Sequence, residues 1–172
     1  MPGRKRREYV AAAGLIGAML ALAAPAAQAA CTDTPQPGVD WRRCLLDNRT
    51  FVDVDLAGAT LRDGFFARSD LTRADFSGVD GRRAKFTDAT LVETRWNGAR
   101  LIGTDFTKSD LSGAIFEGAD LRRARFFRAD LRGADFTGAR LDGTDFLKAD
   151  LSGAIWLDGN KVCAEGSNGQ CN

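Results

Sequence analysis

Residues 101–151 read LIGTDFTKSDLSGAIFEGADLRRARFFRADLRGADFTGARLDGTDFLKADL. A large apolar residue returns at every fifth position: Leu101, Phe106, Leu111, Phe116, Leu121, Phe126, Leu131, Phe136, Leu141, Phe146 and Leu151. Two residues before each stands a small one, such as Ala99, Thr104, Ser109 and Ala114, and the residue between them is usually Asp or Arg. A helix repeats near 3.6 residues and a strand near 2, so a period of five suits neither and would smear the apolar residues around a helix. A short internal repeat of fixed length is the signature of a solenoid.

The register continues upstream through Trp96, Leu91 and Phe86, breaks at Gly81, and resumes at Phe76, Leu71, Phe66, Leu61, Leu56, Phe51, Leu46 and Trp41. Downstream it ends at Trp156, because the next slot holds Lys161. From Phe66 to Trp156 aromatic residues alternate with Leu, Gly81 excepted. Two residues after the large slot, Gly and charge alternate at every tenth position, from Gly58, Arg68, Gly78 and Asp88 to Gly138 and Lys148. Residues twenty apart are therefore alike and residues ten apart differ, which implies a coil of twenty residues with four sides of five. Parallel β coils stack about 4.8 Å apart. Like residues then form columns: Phe66, Phe86, Phe106, Phe126 and Phe146 in one, and Leu71, Leu91, Leu111, Leu131 and Leu151 in another. Residues 39–158 make about six coils of an all-β rod roughly 29 Å long.

The triplets Ala74-Asp75-Phe76, Ala119-Asp120-Leu121, Ala129-Asp130-Leu131, Ala134-Asp135-Phe136 and Ala149-Asp150-Leu151 resemble those of the pentapeptide repeat family. That resemblance implies a right-handed quadrilateral parallel β-helix whose large and small residues point inward and whose other three positions point outward. It also brings a functional expectation. Some members of the family resemble a DNA duplex in size and charge, bind DNA gyrase and give quinolone resistance.

Residues 1–29 read as a signal peptide, with a basic start at Arg4, Lys5, Arg6 and Arg7, an apolar run from Val10 to Ala24 and a small-x-small site at Ala27-Gln28-Ala29. The run is too short to span a bilayer, so no membrane span is expected. Arg6-Arg7-Glu8-Tyr9-Val10 is similar to a twin-arginine signal, and a general secretory leader is the other route. The expected address is the bacterial periplasm or the exterior. Without the leader the chain holds 20 basic and 22 acidic residues, a balance that does not point to nucleic acid.

Cys31, Cys44, Cys163 and Cys171 all lie outside the repeat core, two at each end. An even count in an exported chain reads as disulfides, of which three pairings exist. Cys31–Cys44 with Cys163–Cys171 is favoured, because the rod holds the two ends much farther apart than the ~6 Å Cα reach of a disulfide. A metal site would need both pairs together or other ligands, and the chain has no His. Gln28-Ala29-Ala30-Cys31 is a poor lipoprotein signal, and lipidation of Cys31 would strand Cys44. Residues 30–38 then read as a lead-in and cap, 39–158 as the β-helix and 159–172 as a Cys-closed cap over Trp156. Such caps cover the unpaired coil edges that a solenoid otherwise exposes.

No nucleophile motif, phosphate loop or His is present, and Asp is spread by the repeat rather than gathered, so no catalytic or cofactor-binding residue is assigned. The Asp70, Asp110, Asp130 and Asp150 column is expected to lie beside Arg68, Lys108, Arg128 and Lys148 and to be neutralised by it. Phe127 and Leu147, in outward slots twenty apart, together with Phe65, suggest an interface, including one with a second copy of the chain. The resulting reading is a non-enzymatic exported rod that meets a protein or envelope partner. A gyrase-binding DNA mimic and a protein lipid-anchored through Cys31 are the alternatives.

Overall fold

The computed structural model describes residues 31–172; the leader expected at 1–29 lies outside them. Parallel bridges join residues twenty apart without interruption, from Asp40↔Thr60 to Asp135↔Ile155. Four flat sides result. Face 1 carries the column Asp40, Thr60, Asp80, Arg100, Asp120 and Arg140; face 2 runs from Leu45 to Asp145, face 3 from Thr50 to Asp150, and face 4 from Asp55 to Ile155. A two-residue turn makes each corner.

The pentad divides its backbone groups by direction. The N–H of the large residue bonds the coil above, as Leu101 to the Asp120 carbonyl at 2.8 Å, and so does the second turn residue, as Gly103 to Arg122 at 2.9 Å. The residue at the middle of the side bonds the coil below, as Asp105 to Ala84 at 2.9 Å. The N–H of the small residue closes the turn, as Thr104 to Leu101 at 3.1 Å. Four of five N–H groups are thus bonded by backbone alone, which satisfies the requirement that buried peptide groups be paired.

Inside, the large residues fill the four corners. Aromatics occupy opposite corners: Phe66, Phe86, Phe106, Phe126 and Phe146 stack at 4.8–5.4 Å between centroids. Across the diagonal run Phe76, Trp96, Phe116 and Phe136, stacked at 4.0–6.2 Å. The two stacks meet edge to face, for example Phe116 on Phe126 at 5.8 Å. Leu fills the other corners, and most of these side chains are fully buried. Each contributes on the order of 1.5–3 kcal/mol of transfer free energy, and offset and edge-to-face ring contacts add to it.

Hydroxyls in the small slots find partners inside the rod. Ser69 donates to the Leu46 carbonyl at 2.8 Å and Thr104 to that of Gly81 at 2.9 Å. Thr94 donates to Leu91 at 2.7 Å and accepts the Trp96 indole N–H at 2.9 Å. The indole N–H of Trp41, which has Val39 in the corresponding slot, has no such partner.

Gly81 makes neither a bulge nor a void. The Asp80↔Arg100 bridge passes it intact, and its N–H bonds Arg100 at 2.9 Å. The Leu101 side chain leans into the empty slot, so a Cβ on Gly81 would lie 2.9 Å from Leu101 Cδ2.

The ends close differently. At the start, Cys31 pairs with Cys44 at a Cα separation of 5.3 Å, and residues 31–35 lie against Trp41, Leu46 and Phe51. Trp41 is buried. At the other end Cys163 pairs with Cys171, and the tail returns antiparallel over faces 3 and 4 through Asp150↔Asn168 and Ile155↔Val162. The tail covers faces 3 and 4 of the last coil and reaches the edge of face 2 at Gly169, against the Phe146–Lys148 backbone. On the rest of that coil, Leu141 and Phe146 are half-buried and Leu147 is exposed.

Two substitutions test this packing. Gly81→Leu restores the repeat on paper but overfills a slot already taken by Leu101, and should lower stability by about 1–3 kcal/mol in denaturant unfolding. Thr94→Val keeps the volume but strands the Trp96 N–H, and should cost about 1–3 kcal/mol in the same measurement.

Candidate interaction surface

The Asp before the large residue has a local task. Its carboxylate accepts the N–H of the first turn residue, the one N–H of the pentad left unpaired by the coils. Asp75 accepts from Ser77 at 2.9 Å, Asp105 from Thr107 at 3.0 Å, Asp135 from Thr137 at 2.8 Å and Asp145 from Leu147 at 2.9 Å. Asp is favoured for such side-chain turns because its short carboxylate reaches two residues ahead. A Ser or Thr at the turn adds its hydroxyl, as Ser112 to Asp110 at 2.7 Å. An Arg there folds back instead: Arg82 and Arg122 fork onto Asp80 and Asp120.

The second turn residue sits at positive φ throughout, from Gly58 at 66° and Arg68 at 57° to Lys148 at 62°. This explains the alternation of Gly with charge at every tenth position: the two occupy opposite corners of one coil. Gly meets the left-handed conformation without strain, and the long polar residues bear it.

The expected neutralisation of the Asp70 column by the Arg68 column does not occur. Asp70 bonds Thr72, Asp110 bonds Ser112 and Asp130 pairs with Arg132. Arg68 instead reaches Asn48 at 2.9 Å, and the Arg128 guanidinium lies 5.2 Å over the Phe127 ring. The corner turns each column away from its sequence neighbour.

Charge is therefore divided across the rod. Faces 1 and 2 with the two corners that follow them hold 15 Lys and Arg against 9 Asp. Faces 3 and 4 with their corners hold 4 Arg against 11 Asp and Glu. Of these four, Arg73, Arg95 and Arg132 are ion-paired, and Arg49, in the first coil, is not. Among the described residues, Arg43, Arg68, Arg100, Lys108, Arg128 and Lys148 on the basic half have no carboxylate within 4.0 Å. The near-neutral total conceals this division, although sorting the charges by their place in the twenty-residue period would have found it.

A family model described as pentapeptide repeats matches eight copies over residues 51–80, 82–118 and 119–155. The chain belongs to the pentapeptide repeat family. Between residues 51 and 155 the match skips residue 81 alone, the Gly that stands in a large slot. Family membership also accounts for the right-handed sense of the coil. Among solved pentapeptide repeat structures, the chain is similar to HetL of the cyanobacterium Nostoc sp. strain PCC 7120, a protein involved in heterocyst differentiation regulation. Identity is 29% and TM-score 0.53, over 72% of this chain and 62% of that one. The chain thus spans less than two thirds of HetL. A pentapeptide repeat protein of the Arabidopsis thaliana thylakoid lumen is 25% identical with TM-score 0.50, over 72% of this chain and 83% of that one. A trypsin-treated form of QnrB1, a plasmid-mediated fluoroquinolone resistance protein, is 28% identical with TM-score 0.43, over 67% and 66%. No curated protein matches the chain.

On this pentapeptide repeat scaffold the three apolar residues singled out from sequence all fall on the basic half. Phe65 is half-buried on face 2 with the Lys85 ammonium 4.9 Å over its ring. Phe127 and Leu147 follow each other up the corner between faces 2 and 3, and Leu147 is 59% exposed. A cleft of about 390 Å³ on the acidic half is lined by Asp53, Arg73, Asp75, Glu93 and Arg95, with no nucleophile among them.

The forked pairs set an acid limit. Hydrogen bonds from Arg82, Arg122 and Arg132 hold Asp80, Asp120 and Asp130 below the usual carboxylate range, against the opposing effect of burial. For Asp75 burial pushes upward, and hydrogen bonds from Ser77 and Arg95 outweigh it. A lowered folded pKa contributes stability that is present above the unfolded value and lost as pH falls through the folded one. The thermal midpoint should stay level from about pH 7 to 5 and fall below about pH 4. Asp120→Asn should reduce the size of that fall in melts followed by circular dichroism.

Proposed function

We propose that the chain is an exported, non-enzymatic β-helical rod that works by presenting its outer faces to a protein or envelope partner. The observation that carries the reading is the pair of disulfides, one at each end, with no free cysteine among the described residues. Disulfides persist in oxidising compartments such as the periplasm. In this reading residues 1–29 are the signal peptide, 30–38 the entry cap, 39–158 the β-helix of about six coils and 159–172 the exit cap. Cys31 serves the fold, which argues against a lipid anchor through its sulfur.

The inward side chains are consumed by packing, so function belongs to the outward positions. Two features weigh against a gyrase-binding DNA mimic: the unpaired cations of the basic half and the leader. A symmetric homodimer through Phe127 and Leu147 would bring Arg128 and Lys148 against their own copies, and like charges in contact oppose association. The contact surface therefore suits a different, complementary partner.

Intact mass of the protein recovered from cells tests the address. The expected result is a chain beginning near Ala30, four hydrogens lighter than the thiol form and refractory to alkylation until reduced. A diacyl mass on Cys31 would establish the anchored form, and an uncleaved chain with four alkylatable thiols would overturn export.

A further inference from the structure

We propose that the corner between faces 2 and 3 is a docking ridge for the surface of an anionic phospholipid bilayer. This names the envelope partner and rests on the exported reading for its choice of a lipid rather than a nucleic acid.

Three observations converge on that corner. Its turns project Thr107-Lys108, Phe127-Arg128 and Leu147-Lys148 from successive coils, an outward residue beside a cation each time, about 4.8 Å apart. Lys108, Arg128 and Lys148 have no carboxylate within 4.0 Å, so their charge is available. The ridge ends on the last coil, where the backbone N–H groups of Leu141, Gly143, Phe146 and Lys148 have no backbone acceptor and the tail reaches only as far as Gly169, beside Lys148. Leu147 stands there 59% exposed, beside half-buried Phe146.

The acids that flank the ridge on faces 2 and 3 are engaged elsewhere: Asp130 pairs with Arg132, and Asp110 and Asp150 accept the hydroxyls of Ser112 and Ser152 at 2.7 and 2.6 Å. Asp105 is engaged by Arg125 at 3.6 Å, and Asp145 accepts the Leu147 N–H at 2.9 Å. Asp88 is the one acid in the cationic column itself, three coils below Lys148.

Cations interleaved with outward apolar side chains, Leu147 exposed and Phe127 half-buried under Arg128, suit a headgroup layer, where Lys and Arg meet phosphate while Leu147 enters the acyl boundary and Phe127 lines its edge. A nucleic acid would use the cations and could stack on Phe127, but a base has no stacking partner in Leu147. The ridge is the edge at which face 2 meets the acidic face 3, so the division of charge tilts the rod toward face 2. The rod would rest on the ridge and face 2, with face 3 inclined away from the surface and face 4 open to water.

The test is co-sedimentation of the protein, as recovered from cells with its disulfides intact, with vesicles of phosphatidylcholine alone or mixed equally with phosphatidylglycerol. The expected result is binding to the anionic vesicles that weakens as salt shortens the Debye length from about 10 Å to about 3 Å. The triple variant Lys108→Gln/Arg128→Gln/Lys148→Gln should weaken it on the order of 100-fold. Phe127→Ser/Leu147→Ser should weaken it at low and high salt alike. Glu93→Gln/Glu117→Gln, on the acidic half, should not weaken it. All these side chains lie at turns, so an unchanged thermal midpoint verifies the fold of each variant. Every variant shares one N-terminus, so differences between them report on the ridge alone. Equal affinity of the wild-type and triple-variant proteins for anionic vesicles overturns the proposal. So does retention of duplex DNA without vesicle binding. An uncleaved, free-thiol chain would sink the exported reading while leaving a positive vesicle result standing; a cleaved, disulfide-bonded chain that ignores the vesicles would sink only the ridge.

Discussion

Every flat side of the rod depends on peptide hydrogen bonds that leave the coil. A large residue donates to a carbonyl nineteen residues ahead, and a mid-side residue donates to one twenty-one residues behind, as Leu101 to Asp120 and Asp105 to Ala84. A coil that bonds only to its neighbours must match them in length. That requirement holds the period at twenty and places like over like. The aromatic stacks, the Leu corners and the small columns are its consequences. Gly81 shows how strictly it acts: the backbone keeps its register there and the Leu101 side chain makes the adjustment.

The same constraint leaves one N–H per pentad without a backbone acceptor, and this is where the recurring Asp acts. These carboxylates are turn caps first. Once capped, they also hold the forked Arg residues of faces 1 and 3. Surface ion pairs of this kind add little stability each, so their larger effect is to remove charge from display. What stays on display is the remainder, cationic on one half and anionic on the other.

A closed disulfide end, a half-open end and a divided surface together give the rod polarity in two directions. Along the axis, the tail covers faces 3 and 4 of the last coil and leaves the side of Leu141 and Phe146 bare. Across the axis, unpaired cations, half-buried Phe127 and exposed Leu147 lie on the basic half. The two asymmetries meet at Leu147-Lys148, which is why that corner draws the functional proposal rather than any single column.

Period, coil length, inward columns and the terminal cysteine pairs were legible in the chain, because each is a repeat or a parity that local spacing expresses directly. The four-sided section was legible too, from the twenty-residue alternation of Gly and charge, whereas the right-handed sense came only with the pentapeptide resemblance. Three things were decided only by the tertiary structure. Asp70 and Arg68 are two residues apart, yet the corner between them sends one to face 3 and the other to the preceding edge, so sequence proximity misled about neutralisation. Gly81 is only a break in the repeat on the page of the sequence, and the fold alone brings Leu101, twenty residues on, into its empty slot. Most of all, a net charge near zero concealed a polarised rod. A sum over the chain discards the angle at which each residue leaves the axis, and only the folding of twenty residues into one turn restores it.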